Sequence, residues 1–196
     1  MTIHEGTPLI HWNYFLALET DVERMARFVE FSGNNFGTYS VEMAHLFLAA
    51  SSEVDVVAKQ ICALVDAEAN PGNIEEYRTI LLRHLPKLES SPVTIPRYGL
   101  NLEPWSNWRS DETPYWWRDH NKVKHQRGEY FPLANLQNVL NAMGGLFLLV
   151  LHYYRLVIDG RRIEPPPALF TPPPELAIVC PTVGGRMALF FKEEER

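Results

Sequence analysis

Apolar residues recur at helical spacing along much of the chain. Met43, Phe47, Ala50, Val54, Val57, Ile61 and Leu64 alternate steps of four and three, a continuous stripe along one helix face. The stripe predicts a long helix over residues 40–66, with Ser40 capping its first turn. Val22, Met25, Ala26 and Val29 share a face and predict an earlier helix over 19–31, followed by a Gly- and Asn-rich turn at 32–38. After the break at Asn70-Pro71-Gly72, Asn73 caps a short predicted helix over 74–84, with Glu75 and Glu76 in its first turn. Residues 88–108 are interrupted by prolines and show no sustained period, so a long ordered loop is expected there. Thr113-Pro114 then signals the start of a helix and Gly128 its stop.

Pro132 opens the last predicted helix, which runs to Asp159 and is apolar almost all round, the mark of burial. Along it Asn135, Asn138, Ala142 and Gly145 form a line of small or amide-bearing side chains that another helix can approach closely. Its unbroken apolar run, Ala142 to Leu151, is ten residues long. A bilayer span needs about 20, so a buried core helix and no membrane partner are expected. Beyond it, Pro165-Pro166-Pro167 and Pro172-Pro173-Pro174 favour polyproline II, and stretches 176–180 and 187–191 read as two strands joined around Gly184-Gly185. The expected fold is all-α, with a proline-rich C-terminal segment and a terminal β-hairpin. The expected division is a helical domain over 1–163 and a tail over 164–196.

Composition narrows the partners. The 196 residues carry a formal charge of −6, so any nucleic-acid site has to be a local basic patch rather than the whole surface. Two cysteines, Cys62 and Cys180, do not make a disulfide scaffold. Residues 1–12 lack a basic start and an apolar core, so no secretory signal is expected and a cytoplasmic location follows. No HExxH, CxxC, P-loop, GxGxxG or GxSxG pattern occurs, and His120 and His125 are five apart, off the spacing of a helical metal pair. No metal or cofactor is expected.

The densest positive stretch lies between Arg118 and Arg127, with four Lys or Arg residues and one acid. Arg118, Asn121, Lys122 and His125 stand at offsets of zero, three, four and seven, which puts them on one helix face, while Trp116 and Val123 supply a separate apolar line. Such a face suits a phosphodiester. Arg118 offers a planar two-pronged donor to phosphate oxygens. His125 exchanges protons near neutral pH. Asn121 can orient either group, and Lys122 and Lys124 add point charges for a backbone. Cations near a helix C-terminus, such as Lys124, His125 and Arg127, are also favoured by the helix dipole alone. On spacing alone, a solvated structural face and a phosphate site both stay open.

Arg118, the polar Asp119 after it, and His125 beyond six intervening residues resemble the R-x(4–6)-H signature of the HEPN superfamily. The context adds to the likeness. Tyr39-Ser40-Val41-Glu42 and the segment from Ser52 to Lys59 precede Trp-Trp-Arg-x-x-Asn-Lys-Val-Lys-His-x-Arg, and Ala134-Asn135-Leu136 opens the buried helix. Together they resemble uncharacterised bacterial HEPN-like proteins over residues 19–158. The resemblance implies an up-and-down bundle of four to five helices, a homodimer with the motif helices facing each other and a metal-independent endoribonuclease of toxin or defence type. Arg118 and His125 would be the catalytic pair, supported by Asp119, with Asn121, Lys122, Lys124 and Arg127 binding RNA. It also implies a possible protein partner such as an antitoxin. The alternative is a non-catalytic helical module for dimerisation or partner binding; a nucleotide-binding regulator using the same face is a third reading.

Overall fold

The computed structural model describes residues 8–158 and 162–192. Helix α1 (Ile10–Met25) begins nine residues ahead of the expected start and ends six short of the expected stop. Its buried line is Trp12, Phe15, Leu18, Val22 and Met25, and the exposed Asn13 and Tyr14 between the first two obscure the period. Helix α2 (Val41–Val65) follows its apolar stripe closely, and the Ser40 hydroxyl accepts the Met43 amide at 3.1 Å as its cap. Helix α3 (Ile74–His84) has the expected bounds, with the Asn73 side chain accepting from the amides of Glu75 and Glu76.

Residues 88–108 hold more than a loop. Strands β1 (Val93–Ile95) and β2 (Leu100–Leu102) pair antiparallel around Pro96–Tyr98 and Gly99, whose φ of +62° places it in the left-handed region. Each strand is three residues long, too short for its alternation to stand out between prolines.

Helix α4 (Tyr115–Tyr130) starts where Thr113-Pro114 signals it, by a different device. The Thr113 hydroxyl bonds to Glu75 on α3, and the Tyr115 amide is met by the Asn107 side chain at 3.4 Å. Gly128 is not the stop. The regular helix breaks at Gln126 (φ −139°, ψ 50°), and a further turn continues to Tyr130 before a 3-10 turn at Phe131–Leu133. Helix α5 (Leu136–Val157) opens on Asn135, which accepts the Asn138 amide at 3.0 Å, not on Pro132. Asp159, the expected end of this helix, lies outside the described residues, as do residues 1–7 of the stretch expected to carry no secretory signal.

Helices α2 and α5 form the central pair, and α1 and α4 pack against both. α5 is long and apolar enough to cross a membrane, with a mean hydropathy of 1.3, but 83% of that stretch is buried inside the protein. The expected close approach occurs at Gly145: a Cβ built there would sit 3.0 Å from the Trp116 ring and 3.3 Å from Trp105.

After α5, strand β3 (Arg162–Ile163) pairs with β5 (Met187–Phe191), which also pairs with β4 (Ala177–Pro181), giving the antiparallel order β3-β5-β4. The fold is therefore mixed α/β with helices dominant, not all-α, because two small sheets are integral to it. The terminal hairpin is present, and its buried Leu189 and Phe191 join the same core as the helices. The segment between β3 and β4 lies along α1. The Trp12 indole donates to the Pro165 carbonyl at 2.9 Å, and the Glu19 carboxylate accepts the amides of Ala168, Leu169 and Phe170 at 2.9–3.0 Å.

Candidate functional site: the exposed face of α4

One face of α4 is fixed in the core. Trp116, His120 and Val123 follow one another at steps of four and three and are buried, with Trp117 beside them. The Trp116 indole donates to the Pro104 carbonyl at 2.7 Å, and its ring meets those of Trp105 and Trp117 edge-on. All four tryptophans from Trp105 to Trp117 are buried and pack the β1–β2 region onto the helices; none is offered to a base.

At 100° per residue, the arc holding Arg118, Asn121, Lys122 and His125 is centred opposite that buried line. All four are exposed. Among the described residues, no hydrogen bond or ion pair engages the side chain of Arg118 or of His125. They stand two turns apart, about 10 Å along the axis. Lys122 lies 5.8 Å from the centre of the Tyr130 ring and 3.4 Å from an Asp119 oxygen. Both ends of α4 are held by the body of the protein, so the four polar groups are displayed on a rigid rod rather than a loop.

The remaining candidates lie off this stripe. Asp119, on its flank, is half-buried and faces α5: its second oxygen accepts from the Asn138 amide group at 3.0 Å. It contacts neither Arg118 nor His125, so any support it lends to that pair acts through the seating of α4. Lys124 is exposed but sits about a quarter-turn around the helix from the stripe. Arg127 lies past the Gln126 break, where it lines a shallow depression of about 350 Å³ with Val41, Ala44, Gly128 and Phe131. Comparison with protein-family models, curated proteins and solved structures finds no match to this chain.

His120, the other histidine of the segment, is structural. Its ring packs against Phe47 and Trp117, and burial lowers its pKa to about 4, helped by the nearby charges of Lys124 and His125. Two acids on α2, Glu53 and Asp55, are engaged away from α4. Glu53 lies 2.5 Å from His11 Nδ1 on α1, while Gln60 Oε1 is 2.9 Å from the other ring nitrogen. Asp55 forms the plain ion pair with Lys59 at 2.6 Å and accepts from the Tyr77 hydroxyl on α3. The His11 cluster was hidden by the late expected start of α1. Among the described residues no three His, Cys, Asp or Glu side chains group as metal ligands would.

Proposed function

We propose that this protein acts on RNA through α4, as a HEPN-like homodimer in which two motif helices face each other. The observation that supports it most is the exposed stripe of Arg118, Asn121, Lys122 and His125 on a helix whose opposite face is locked in the core. A solvated face needs no such concentration of cations in a chain of net charge −6. One Arg118/His125 pair spans two turns, too few groups around one phosphate; a second copy supplies the other pair. Exposed Tyr39 and Val41, beside the depression near Arg127, offer apolar area next to α4 for that contact.

In this reading Arg118 and Lys122 hold the phosphate oxygens, and His125 removes the proton from the ribose 2′-hydroxyl. That oxygen attacks the adjacent phosphorus, the 5′-oxygen leaves with a proton, and a cyclic phosphate remains. The location would be cytoplasmic and the role one of toxin or defence. A helical module using the same face only for dimerisation is the second reading, favoured by the apolar depression beside it.

Sedimentation and a nuclease assay decide between them. The expected result is a dimer at micromolar concentration that cuts mixed RNA in EDTA, leaves matching DNA whole, and loses cleavage in Arg118→Ala and His125→Ala variants that still fold. A dimer with intact RNA favours the second reading. A monomer unaffected by RNA, or cleavage unchanged in the His125→Ala variant, removes the catalytic one.

A further inference from the structure

The three groups of the α4 stripe that can carry positive charge differ in their surroundings. Arg118 and His125 have no side-chain partner among the described residues, whereas the Lys122 ammonium donates to Asp119 Oδ1 at 3.4 Å. Asp119 is itself anchored. Its side chain is 20% exposed against 50% for Lys122, and Oδ2 accepts from the Asn138 amide group at 3.0 Å. Asn138 is buried in the first turn of α5, and the same amide group donates to the Leu133 carbonyl at 2.8 Å. The partial positive charge at that helix end also favours a carboxylate. The acid is thus tethered to the body of the protein, while the ammonium rides on a flexible four-carbon stem.

We propose that Asp119 is a fixed competitor for Lys122, so that an RNA phosphate bound on α4 must take the lysine away from it; this assignment rests on the RNA reading of that face. The resemblance makes Asp119 a support for Arg118 and His125, but its contacts run to Lys122 and Asn138 instead. A carboxylate and a phosphate oxygen accept from an ammonium in the same way, so the two compete for one group. Held by Asn138, Asp119 cannot follow the lysine outward, and its charge opposes the phosphate that replaces it. The stripe therefore binds RNA more weakly than its cations alone would allow, and cut strands leave sooner. A residue that only seats α4 would have no such effect.

The test is fluorescence anisotropy of the full chain with a mixed-sequence 2′-O-methyl RNA, which presents the phosphates but has no free 2′-hydroxyl to react. Asp119→Asn keeps an oxygen for Asn138 and removes the charge, so the melting midpoint should stay near that of the wild type. The variant should bind about fivefold more tightly, the upper end of what an exposed ion pair is worth. Its affinity should also fall more steeply with salt, by about 0.7 in the logarithmic slope, as one more phosphate contact implies. In a Lys122→Ala background the same change should move affinity by less than about twofold, because the competed group is gone. An equal gain in both backgrounds would reveal a general field effect and overturn the proposal, as would unchanged or weaker binding by Asp119→Asn. Wild-type binding without a gain in the variant removes this inference alone; no binding by either protein removes the RNA reading and this inference with it.

Discussion

Glu19→Ala should detach the tail from α1, and the size of the effect can be worked out from the contacts. The carboxylate is 3% exposed; Oε1 accepts from Leu169 and Phe170, and Oε2 from Ala168. Leu169 and Phe170 are themselves buried, so alanine leaves two amides without water or protein, at about 1–3 kcal/mol each. The Ala168 residue is exposed and its amide can turn to solvent. Removing a desolvated carboxyl offsets part of the loss, so the net cost is about 3 kcal/mol. Glu19→Gln keeps Oε1 for the two buried amides and turns an NH₂ toward Ala168, costing about 1 kcal/mol. Burial, opposed by the three amide donors and aided by Glu23, raises the Glu19 carboxyl above its ordinary value of 4.5. The native state therefore holds that proton at a pH where the unfolded chain has lost it, and stability falls as pH rises through this window. The wild-type advantage over Glu19→Gln should narrow accordingly above pH 4.5. Urea unfolding gives the free energies, and amide exchange at 168–170 reports the local contact. An alanine variant costing under about 1 kcal/mol with those amides still protected would refute the reasoning.

Three further outcomes are expected. Stability should drop as pH falls below 6.5, because His120 and His152 both resist protonation when buried, and the unfolded chain takes up the protons first. The limiting loss is on the order of 3 kcal/mol per histidine, and His120→Phe should flatten part of the slope in urea titrations across pH. Gly145→Ala should destabilise despite a gain of about 1 kcal/mol in helix propensity, because overpacking against the Trp116 ring costs about 1–3 kcal/mol; a raised melting midpoint would count against that. Ser51→Ala should leave stability unchanged or raise it by about 1 kcal/mol, since the Ser51 hydroxyl is buried with no partner, and calorimetry can check this.

Local signals carried α2 and α3 because each pairs an uninterrupted stripe or a good cap with a clear break. They failed where the stabilising partner is distant. Nothing near Trp12 announces that its indole reaches Pro165, and nothing in the run after Glu19 marks it as the acceptor for residues 168–170. The β1–β2 pair escaped notice since three-residue strands carry a single alternation. The α4 stripe was legible because its apolar and cationic lines lie on opposite sides of one helix. Its geometry beyond His125 was not, as the break at Gln126 has no proline or glycine at that position.

The attachment of residues 165–170 to α1 also sets an order of events during synthesis. Trp12 and Glu19 find their partners across 149 to 153 residues, so α1 waits until residues 165–170 have been made. Closing loops of that length before the contacts form slows folding. α1 must pass that interval with Trp12 and Phe15 uncovered on one side. Shortening the chain to its helices would not give a smaller version of the protein; it would hold that unfinished state permanently.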